Sequence, residues 1–124
     1  NHFLDKLTST KAVIFWNKHQ NGYFAEGELA WCSIGTVKYY DRAYQKDIGN
    51  KIHPTQKPLQ LYEWLLMNYA KEGDKIWDTH LGSGSIALAC HNLGYDLTAC
   101  ELDKDYYDAA KKRIEQHKQQ IRLF

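Results

Sequence analysis

The chain is poor in cysteine and contains no long apolar run. Its three cysteines, Cys32, Cys90 and Cys100, are odd in number and widely spaced. This usage excludes a disulfide-stapled scaffold and indicates free, mostly buried thiols in a reducing cytoplasm. The first residues lack a basic stretch followed by an apolar run, so the sequence indicates neither a signal peptide nor a membrane span. We therefore expect a cytoplasmic protein.

The chain also has little net charge and shows no internal repeat. Sixteen Lys and Arg residues nearly balance 15 Asp and Glu residues, for a net charge of +1. Such a balance gives no strong argument for nucleic acid, since DNA-binding domains are often more basic. A length of 124 residues allows one domain at most, with a small core.

A glycine-rich stretch, Asp78–Ser85, stands between a short apolar run, Lys75–Trp77, and a helical pattern over Ser85–Leu93. This order predicts a strand, a glycine loop and a helix. Two glycines let the backbone approach a ligand closely, and the helix directs its free N–H groups and positive end at that ligand. Asp78 adds a hydrogen-bond acceptor at the end of the strand. The combination predicts a pocket for a nucleotide-type cofactor.

The stretch Gly82–Ala87 also matches Gly-x-Gly-x-x-Gly/Ala, the dinucleotide fingerprint, so an NAD-binding module is one alternative. Two features favour S-adenosylmethionine instead. The acidic Asp78 precedes the glycines, where NAD needs room for its pyrophosphate, and His53–Pro58 lies just upstream. A predicted strand, Leu97–Cys100, delivers Glu101, which suits the ribose hydroxyls of either cofactor.

The first half of the chain predicts strands. Lys11–Trp16 is a continuous apolar run, which predicts a strand buried on both faces. Glu28–Ser33 and Val37–Tyr40 are two further candidate strands.

The second half predicts helices that alternate with strands. A helix over Pro58–Lys71 would bury Tyr62, Leu65, Leu66 and Tyr69 and end with Gly73 as its C-cap. The glycine-loop helix would bury Ile86, Ala89, Cys90 and Leu93 and end at Gly94. A last helix over Lys104–Gln119, capped by Asp103, would bury Tyr107, Ala110 and Ile114 and expose Lys111, Lys112 and Arg113.

His-Pro-Thr-Gln-Lys-Pro, then a helix, then Asp-x-x-x-Gly-Ser-Gly-Ser resembles the amino-group DNA methyltransferases. These enzymes make N6-methyladenine or N4-methylcytosine. The order of the motifs is similar to a permuted class whose cofactor half follows the catalytic half. Within it, the run from Tyr62 to Ser85 most resembles phage-type, site-specific adenine methyltransferases of the kind found in restriction–modification systems. The family more often has Pro and Phe where this chain has Thr79 and His80.

The resemblance implies a set of cofactor-binding residues. Thr55 and Lys57 would hold the methionine carboxylate of S-adenosylmethionine, since a hydroxyl and a cation suit an anion. The full set is Thr55, Lys57, Asp78, His80, Gly82, Ser83, Gly84, Ser85 and Glu101. His53 lies in the same motif and is interpreted as an ordinary turn histidine and not as a catalytic residue.

The resemblance also implies contacts with double-stranded DNA. Asn17, Lys18 and Glu28 would help to wall the target-base pocket; the alternative is a solvated loop beside a hairpin. Lys38, Arg42, Lys46 and Lys51 would meet phosphates, and Tyr39, Tyr40 or Tyr44 would stack on a base. The alternative there is an exposed connector. The candidate DNA-binding residues are Asn17, Lys18, Lys38, Arg42 and Lys46.

The family's catalytic motif, an Asp, Asn or Ser followed by Pro-Pro and an aromatic, is not in this sequence, whose two prolines are Pro54 and Pro58. No catalytic residue is therefore assigned. The chain is interpreted as the C-terminal part of an enzyme, with residues 1–50 in the catalytic half and 51–124 in the cofactor half.

The implied fold is an incomplete, Rossmann-like α/β methyltransferase sheet. The strand near Val13 would have an unfilled neighbour position, to be filled by an upstream segment, a second copy in a homodimer or a repaired sheet. The strands near Ile76 and Thr98 would be parallel and adjacent.

The implied reaction is methyl transfer to adenine N6 of a base flipped out of DNA. This fragment alone would be inactive. N4-cytosine specificity and a degenerate, non-enzymatic DNA-binding or assembly module are alternatives. Metal binding is not expected, because His80, Cys90, His91 and Cys100 match no zinc spacing.

Overall fold

The computed structural model describes residues 6–9, 11–20, 22–23, 25–43 and 51–122. The chain forms two compact units, Asn1–Lys46 (unit one) and Asp47–Phe124 (unit two). The predicted division after residue 50 falls close to this boundary, and the roles given to the two halves stay predictions.

Unit one is built on a three-stranded sheet in the order β2-β1-β3. The strands are β1 (Ala12–Asn17), β2 (Gly27–Cys32) and β3 (Lys38–Asp41). β1 pairs antiparallel with β2, in a register that joins Val13 to Trp31, and parallel with β3, in a register that joins Phe15 to Tyr39. β1 is hydrogen-bonded on both sides, so both of its neighbour positions are filled within this sheet, which is the repaired sheet among the three predicted outcomes.

The side chains of β1 alternate between buried and half-buried positions. Ala12, Ile14 and Trp16 are buried, whereas Val13 and Phe15 on the other face are only half-buried. The prediction of burial on both faces is wrong, because only one face of this strand is fully covered. A continuous apolar run does not by itself distinguish the two cases.

Unit two contains α1 (Leu59–Tyr69), β4 (Lys75–Asp78), α2 (Ser85–Leu93), β5 (Asp96–Ala99) and α3 (Lys104–Arg122). β4 and β5 are parallel neighbours, as predicted, with Asp78 opposite Ala99. The core gathers around Leu66, Ala89 and Cys90, which Ile76 and Leu97 of the strands pack against. The two strands therefore present one face to α1 and α2.

The ends of the helices follow local chemistry, with one correction. Gly94 caps α2 in a left-handed conformation, and Asp103 Oδ1 accepts the N–H groups of Asp105 and Tyr106 at the start of α3, both as predicted. α1 instead ends at Tyr69, and its C-cap is Ala70, which is in an extended conformation. Gly73 lies in the following turn at a φ of 86°, so it is not the C-cap.

The predicted helix faces need further corrections. Five residues that were predicted to be buried are half-buried: Tyr62, Leu65, Tyr69, Ile86 and Ile114. Leu61 and Leu66 are the buried residues of α1, so Leu61 was missed. In α2, Leu88 is buried and Leu93 is exposed. In α3, Ala110 is buried but Tyr107 is exposed. Helical periodicity finds the facing stripe but does not set its width, which depends on the neighbouring elements.

The cysteines also differ from their predicted burial. Only Cys90 is buried, whereas Cys32 is half-buried and Cys100 is exposed. Cys32 and Cys100 lie at or just beyond the ends of β2 and β5, where the sheet gives less cover than the helix packing around Cys90.

Candidate functional site

The site lies where β4 and β5 end side by side. Beyond the strands, Cys100 N donates to Asp78 O over 3.0 Å, and Leu81 N donates to Cys100 O over 2.9 Å. These bonds extend the pairing of β4 and β5 into the segments that follow them. The glycine stretch and Glu101 therefore meet at the carboxyl edge of the sheet. Ligands of open α/β sheets bind at this edge.

Glu101 is held by the main chain on both of its carboxylate oxygens. Its Oε2 accepts the N–H of Gly82 over 2.8 Å, and its Oε1 accepts the N–H of Asp103 over 3.0 Å. These backbone donors, Asp103 first and Gly82 second, lower the pKa of Glu101, because they stabilise the charged form. The carboxylate is therefore ionised at neutral pH and keeps further lone pairs for hydroxyl donors.

The glycine loop uses two left-handed backbone positions. Gly82 has a φ of 55° and Gly84 a φ of 78°, a region that side chains disfavour. A Cβ atom at Gly84 would lie 3.3 Å from both Ala110 Cβ and Ile114 Cδ1 of α3. Gly84 therefore allows α3 to approach the loop closely.

The segment before α1 folds into a compact turn. Gln56 is buried, its Oε1 accepts the N–H of Ile52 over 3.0 Å, and its own N–H donates to His53 O. Thr55 N donates to His53 Nδ1 over 3.2 Å, so this ring nitrogen acts as an acceptor. The His53 ring also lies 4.2 Å from the Tyr106 ring, centroid to centroid.

A cavity of about 310 Å³ joins this turn to the strand edge. Lys57 and Glu101 both line it, as do Gly82 and Ser83 of the glycine loop. The other lining residues are His53, Thr55, Gln56, Tyr62, His80 and Leu81. A cation, a carboxylate and hydroxyl groups therefore converge on one space.

Six of the nine predicted cofactor residues line the cavity, and three do not. Asp78 Oδ1 accepts the N–H of His80 over 2.9 Å, so this carboxylate shapes the loop. Gly84 faces α3. Ser85 is buried, and its Oγ donates to Lys57 O over 2.9 Å. For these three the structure shows support of the loop; cofactor contact by any of the nine stays a prediction.

Some residues of the site were not among the predicted cofactor residues: His53, Gln56, Tyr62 and Leu81, which line the cavity, and Arg113, which supports it. His53 and Gln56 line the cavity, and the signal that could have found them is their place inside the His-Pro-Thr-Gln-Lys-Pro motif. Arg113 was expected to be exposed but is half-buried, and its Nη1 donates to Ser83 O and Ser85 Oγ, each over 2.9 Å. No local pattern signals that contact, which spans about 30 positions of the chain.

The candidate DNA-binding residues of unit one are partly engaged with each other. Asn17 Nδ2 donates to the Tyr39 hydroxyl over 2.9 Å, and Lys18 Nζ lies 3.0 Å from Glu28 Oε1. Lys38 is half-buried on β3, and Arg42 follows that strand, its carbonyl oxygen accepting the indole N–H of Trp16. DNA contact by these residues stays a prediction. Lys46 and Tyr44 lie outside the described residues.

Two other kinds of feature do not occur in the described ranges. No group of three or more His, Cys, Asp or Glu residues there is arranged to hold a metal ion. Among the helices of the same ranges, none has the length and apolar character needed to cross a membrane.

Most of the chain matches the model of a known protein family. The model of a family described as DNA methylase, of the N6 and N4 type, matches residues 8–112. The chain belongs to this DNA methylase family.

Curated relatives are similar over part of their length. Type II methyltransferase M.HpaI of Haemophilus parainfluenzae is 37% identical over 96 residues, 77% of this chain and 31% of that protein. Type II methyltransferase M2.DpnII of Streptococcus pneumoniae is 40% identical over 63 residues, 51% of this chain and 24% of that protein. The chain thus spans about a quarter to a third of the length of these relatives.

Solved structures support the fold. The crystal structure of the M1.HpyAVI-SAM complex superimposes with a TM-score of 0.66 at 22% identity, over 91% of this chain and 66% of that chain. A second crystal structure, of M1.HpyAVI, gives a TM-score of 0.53 at 27% identity, over 83% of this chain and 57% of that chain. The α/β methyltransferase fold is therefore confirmed, and this chain carries part of it.

Proposed function

We propose that unit two binds S-adenosylmethionine and supplies the cofactor half of an enzyme that methylates the exocyclic amine of adenine, N6, in DNA. The observation that carries the proposal is the shared cavity of Lys57 and Glu101 over Gly82, in a chain of the DNA methylase family. One structural neighbour, M1.HpyAVI, was crystallised as a complex with SAM, which supports the same ligand here.

The cavity suits this ligand in volume and in donor chemistry. Small-molecule sites measure roughly 300–1,000 Å³, and this cavity lies at the lower end of that range. S-adenosylmethionine carries a carboxylate at one end and ribose hydroxyls in the middle. Lys57 and Thr55 offer a cation and a hydroxyl for the former, and Glu101 offers acceptors for the latter.

The chain's own residues prepare the site in three ways. The N–H groups of Gly82 and Asp103 keep Glu101 ionised and oriented. Asp78 holds the backbone of His80 and so shapes the cavity wall. Gly82 permits close backbone approach to the ligand. When bound, the cofactor supplies the methyl group to be transferred.

DNA is the proposed substrate, with the target base turned out of the stack. Lys38 and Arg42 of unit one are the proposed phosphate contacts, and Asn17 the proposed wall of the base pocket. Methyl transfer would also require the Pro-Pro-aromatic motif, which these 124 residues do not contain. We propose that this chain alone binds the cofactor without methylating DNA, and that an upstream segment or a second chain completes the enzyme.

Calorimetric titration with S-adenosylhomocysteine, the demethylated cofactor product, tests the pocket. Lys57→Met and Glu101→Gln should each weaken binding about tenfold or more, because each removes a charge that faces the ligand. The matched controls are Lys112→Met and Glu115→Gln, on the exposed part of α3, which should bind like the unchanged chain. Equal affinities for all five proteins would refute the pocket assignment.

The target base needs a separate experiment. DNA is incubated with S-adenosylmethionine and this chain, alone and together with a segment that supplies the catalytic motif, and its nucleosides are analysed by mass spectrometry. We expect N6-methyladenine only from the completed enzyme. Detection of N4-methylcytosine instead would identify cytosine as the target base. Methylation by the chain alone would contradict the proposal that a separate segment must supply the catalytic motif.

A further inference from the structure

Arg113 of α3 is bonded to the back of the glycine loop. Its Nη1 lies 2.9 Å from Ser83 O, 2.9 Å from Ser85 Oγ and 3.4 Å from Ser83 Oγ. Both serines are buried, with 5% and 2% of their surface exposed. All three contacts are made by one nitrogen, Nη1, whose two hydrogens can serve Ser83 O and Ser85 Oγ together.

Ser85 extends this contact to the segment before α1. Its Oγ donates to the carbonyl oxygen of Lys57 over 2.9 Å and accepts from Arg113. One hydroxyl thus uses both of its roles, donor and acceptor, on groups 28 positions away on either side. The bonds form a continuous path from Arg113 through Ser85 to the main chain of Lys57.

The packing around this path is close on the side of α3. Ala110, Arg113 and Ile114 are spaced so that they share one face of the helix. Ala110 is fully buried, and both it and Ile114 approach Gly84, the residue between the two serines. Burial lowers the pKa of Arg113, in keeping with a guanidinium withdrawn from water, though it stays charged at neutral pH.

We infer that Arg113 is a positioning residue, which fixes the main chain of Lys57 to the glycine loop and so presets the cavity before a ligand enters. Arg113 is not among the residues that line the cavity, so it acts through Ser83 and Ser85. A site whose geometry is set in advance binds more tightly, because less ordering is required on binding. The identity of the ligand rests on the function proposed above.

The test combines ligand affinity with amide hydrogen exchange of the ligand-free 124-residue chain. Arg113→Met and Ser85→Ala should each weaken S-adenosylhomocysteine binding about tenfold, the loss expected when a bond to a charged group is removed. Because both act on one path, the double variant should lose no more than about twofold beyond either single variant. Exchange at the amides of Gly82 and Gly84 should quicken in all three.

Lys112→Met is the control, since this exposed residue neighbours Arg113 on α3. It should leave affinity and exchange unchanged. Arg113→Lys should recover only part of the affinity, because a strongly hydrated ammonium on a flexible stem holds the two oxygen atoms less firmly than the guanidinium nitrogen does. Full recovery of the affinity in Arg113→Lys would contradict the proposed role of Arg113. Additive losses of affinity in the double variant would also contradict it, because a general loss of stability would produce them.

The two proposals fail in different ways. If the unchanged chain does not bind S-adenosylhomocysteine, the proposed cofactor is wrong, and amide exchange alone decides the role of Arg113. If Arg113→Met and Ser85→Ala leave exchange at Gly82 and Gly84 unchanged, the positioning role is overturned whatever the ligand. Should Arg113→Met not fold, Ser85→Ala and Arg113→Lys carry the same comparison.

Discussion

The two units secure their candidate residues in different ways. In unit two, site side chains bond to the main chain: Glu101 to Gly82 and Asp103, Asp78 to His80, and Ser85 to Lys57. In unit one, more of the candidate side chains pair with other side chains, as in Asn17 with Tyr39, Lys18 with Glu28 and His19 with Asp41. Asn17 Oδ1 also accepts the N–H of His19, so the contrast is one of degree.

This difference has a consequence for binding. A side chain that holds the backbone fixes the course of a loop, and breaking the bond deforms the pocket. A partly exposed pair of side chains can exchange partners at modest cost, because water or a charged ligand can replace the partner. Under the proposed function, unit two would hold a small molecule in one geometry, and unit one would adapt to a polyanion.

The largest effect is expected at the glycine loop of unit two. Gly84→Ala places a side chain at a φ of 78° and a Cβ atom 3.3 Å from Ala110 and Ile114. The left-handed conformation and the crowding together should lower the free energy of unfolding by about 3 kcal/mol. Gly94→Ala is a matched control, because its φ is also 78° but no atom lies within 4 Å of the added Cβ. Gly94→Ala should lower the free energy of unfolding, measured in urea, by only about 1–2 kcal/mol.

An equal loss of unfolding free energy in Gly84→Ala and Gly94→Ala would show that α3 can move away from the added Cβ atom without strain. The glycine loop would then be less rigid than the contrast between the units requires.

A smaller effect is expected in unit one. The coupling between Lys18 and Glu28, from a double-mutant cycle with Lys18→Met and Glu28→Gln, should be about 1 kcal/mol or less. Lys18 is largely covered, with 11% of its side chain exposed, and Glu28 has 39% exposed, so the pair is only partly screened. Urea unfolding of the four proteins measures it. A coupling above about 3 kcal/mol, typical of a buried pair, would contradict the ready exchange of partners.

The smallest effect concerns the acid dependence of unit two. The pKa of Glu101 is lowered in the folded chain, so its ionised form stabilises the fold at neutral pH. That contribution is present above the pKa of the carboxyl in the unfolded chain and is lost as pH falls through the lower folded value. Unfolding at a series of acid pH values should show that Glu101→Gln loses less stability than the unchanged chain as the pH falls through this range. An identical acid dependence would mean that the backbone bonds of Glu101 are not maintained in solution.

Local sequence signals predicted much of the site. Gly94 and Asp103 were recognisable as helix caps, because capping depends on residues within one turn. The place of Lys57 and Glu101 was predicted from the proline-bracketed motif and the strand before the acid. Both line one cavity, in agreement with that expectation. Glu101 lies there because it follows β5, whose carboxyl end meets that of β4 at one edge of the sheet.

Other features were not accessible from the sequence. The pairing of β1 on both sides depends on β3, whose four residues carry no signal for a partner. The exposure of Leu93 and Tyr107 depends on where neighbouring elements stop covering the helices. Hydrophobic periodicity indicates which face of a helix or strand is apolar. Only packing decides whether another element covers that face.

The amino-acid sequence by itself determined the order of strands and helices in unit two, the left-handed turns at its glycines and the chemical character of the site. These follow from backbone sterics and from groups close together in the chain. Only the tertiary structure decided that Arg113 faces inward to Ser83 and Ser85, and that Ser85 holds Lys57. Hydrogen bonds between residues some 30 positions apart exist only once packing has brought their elements together and excluded water.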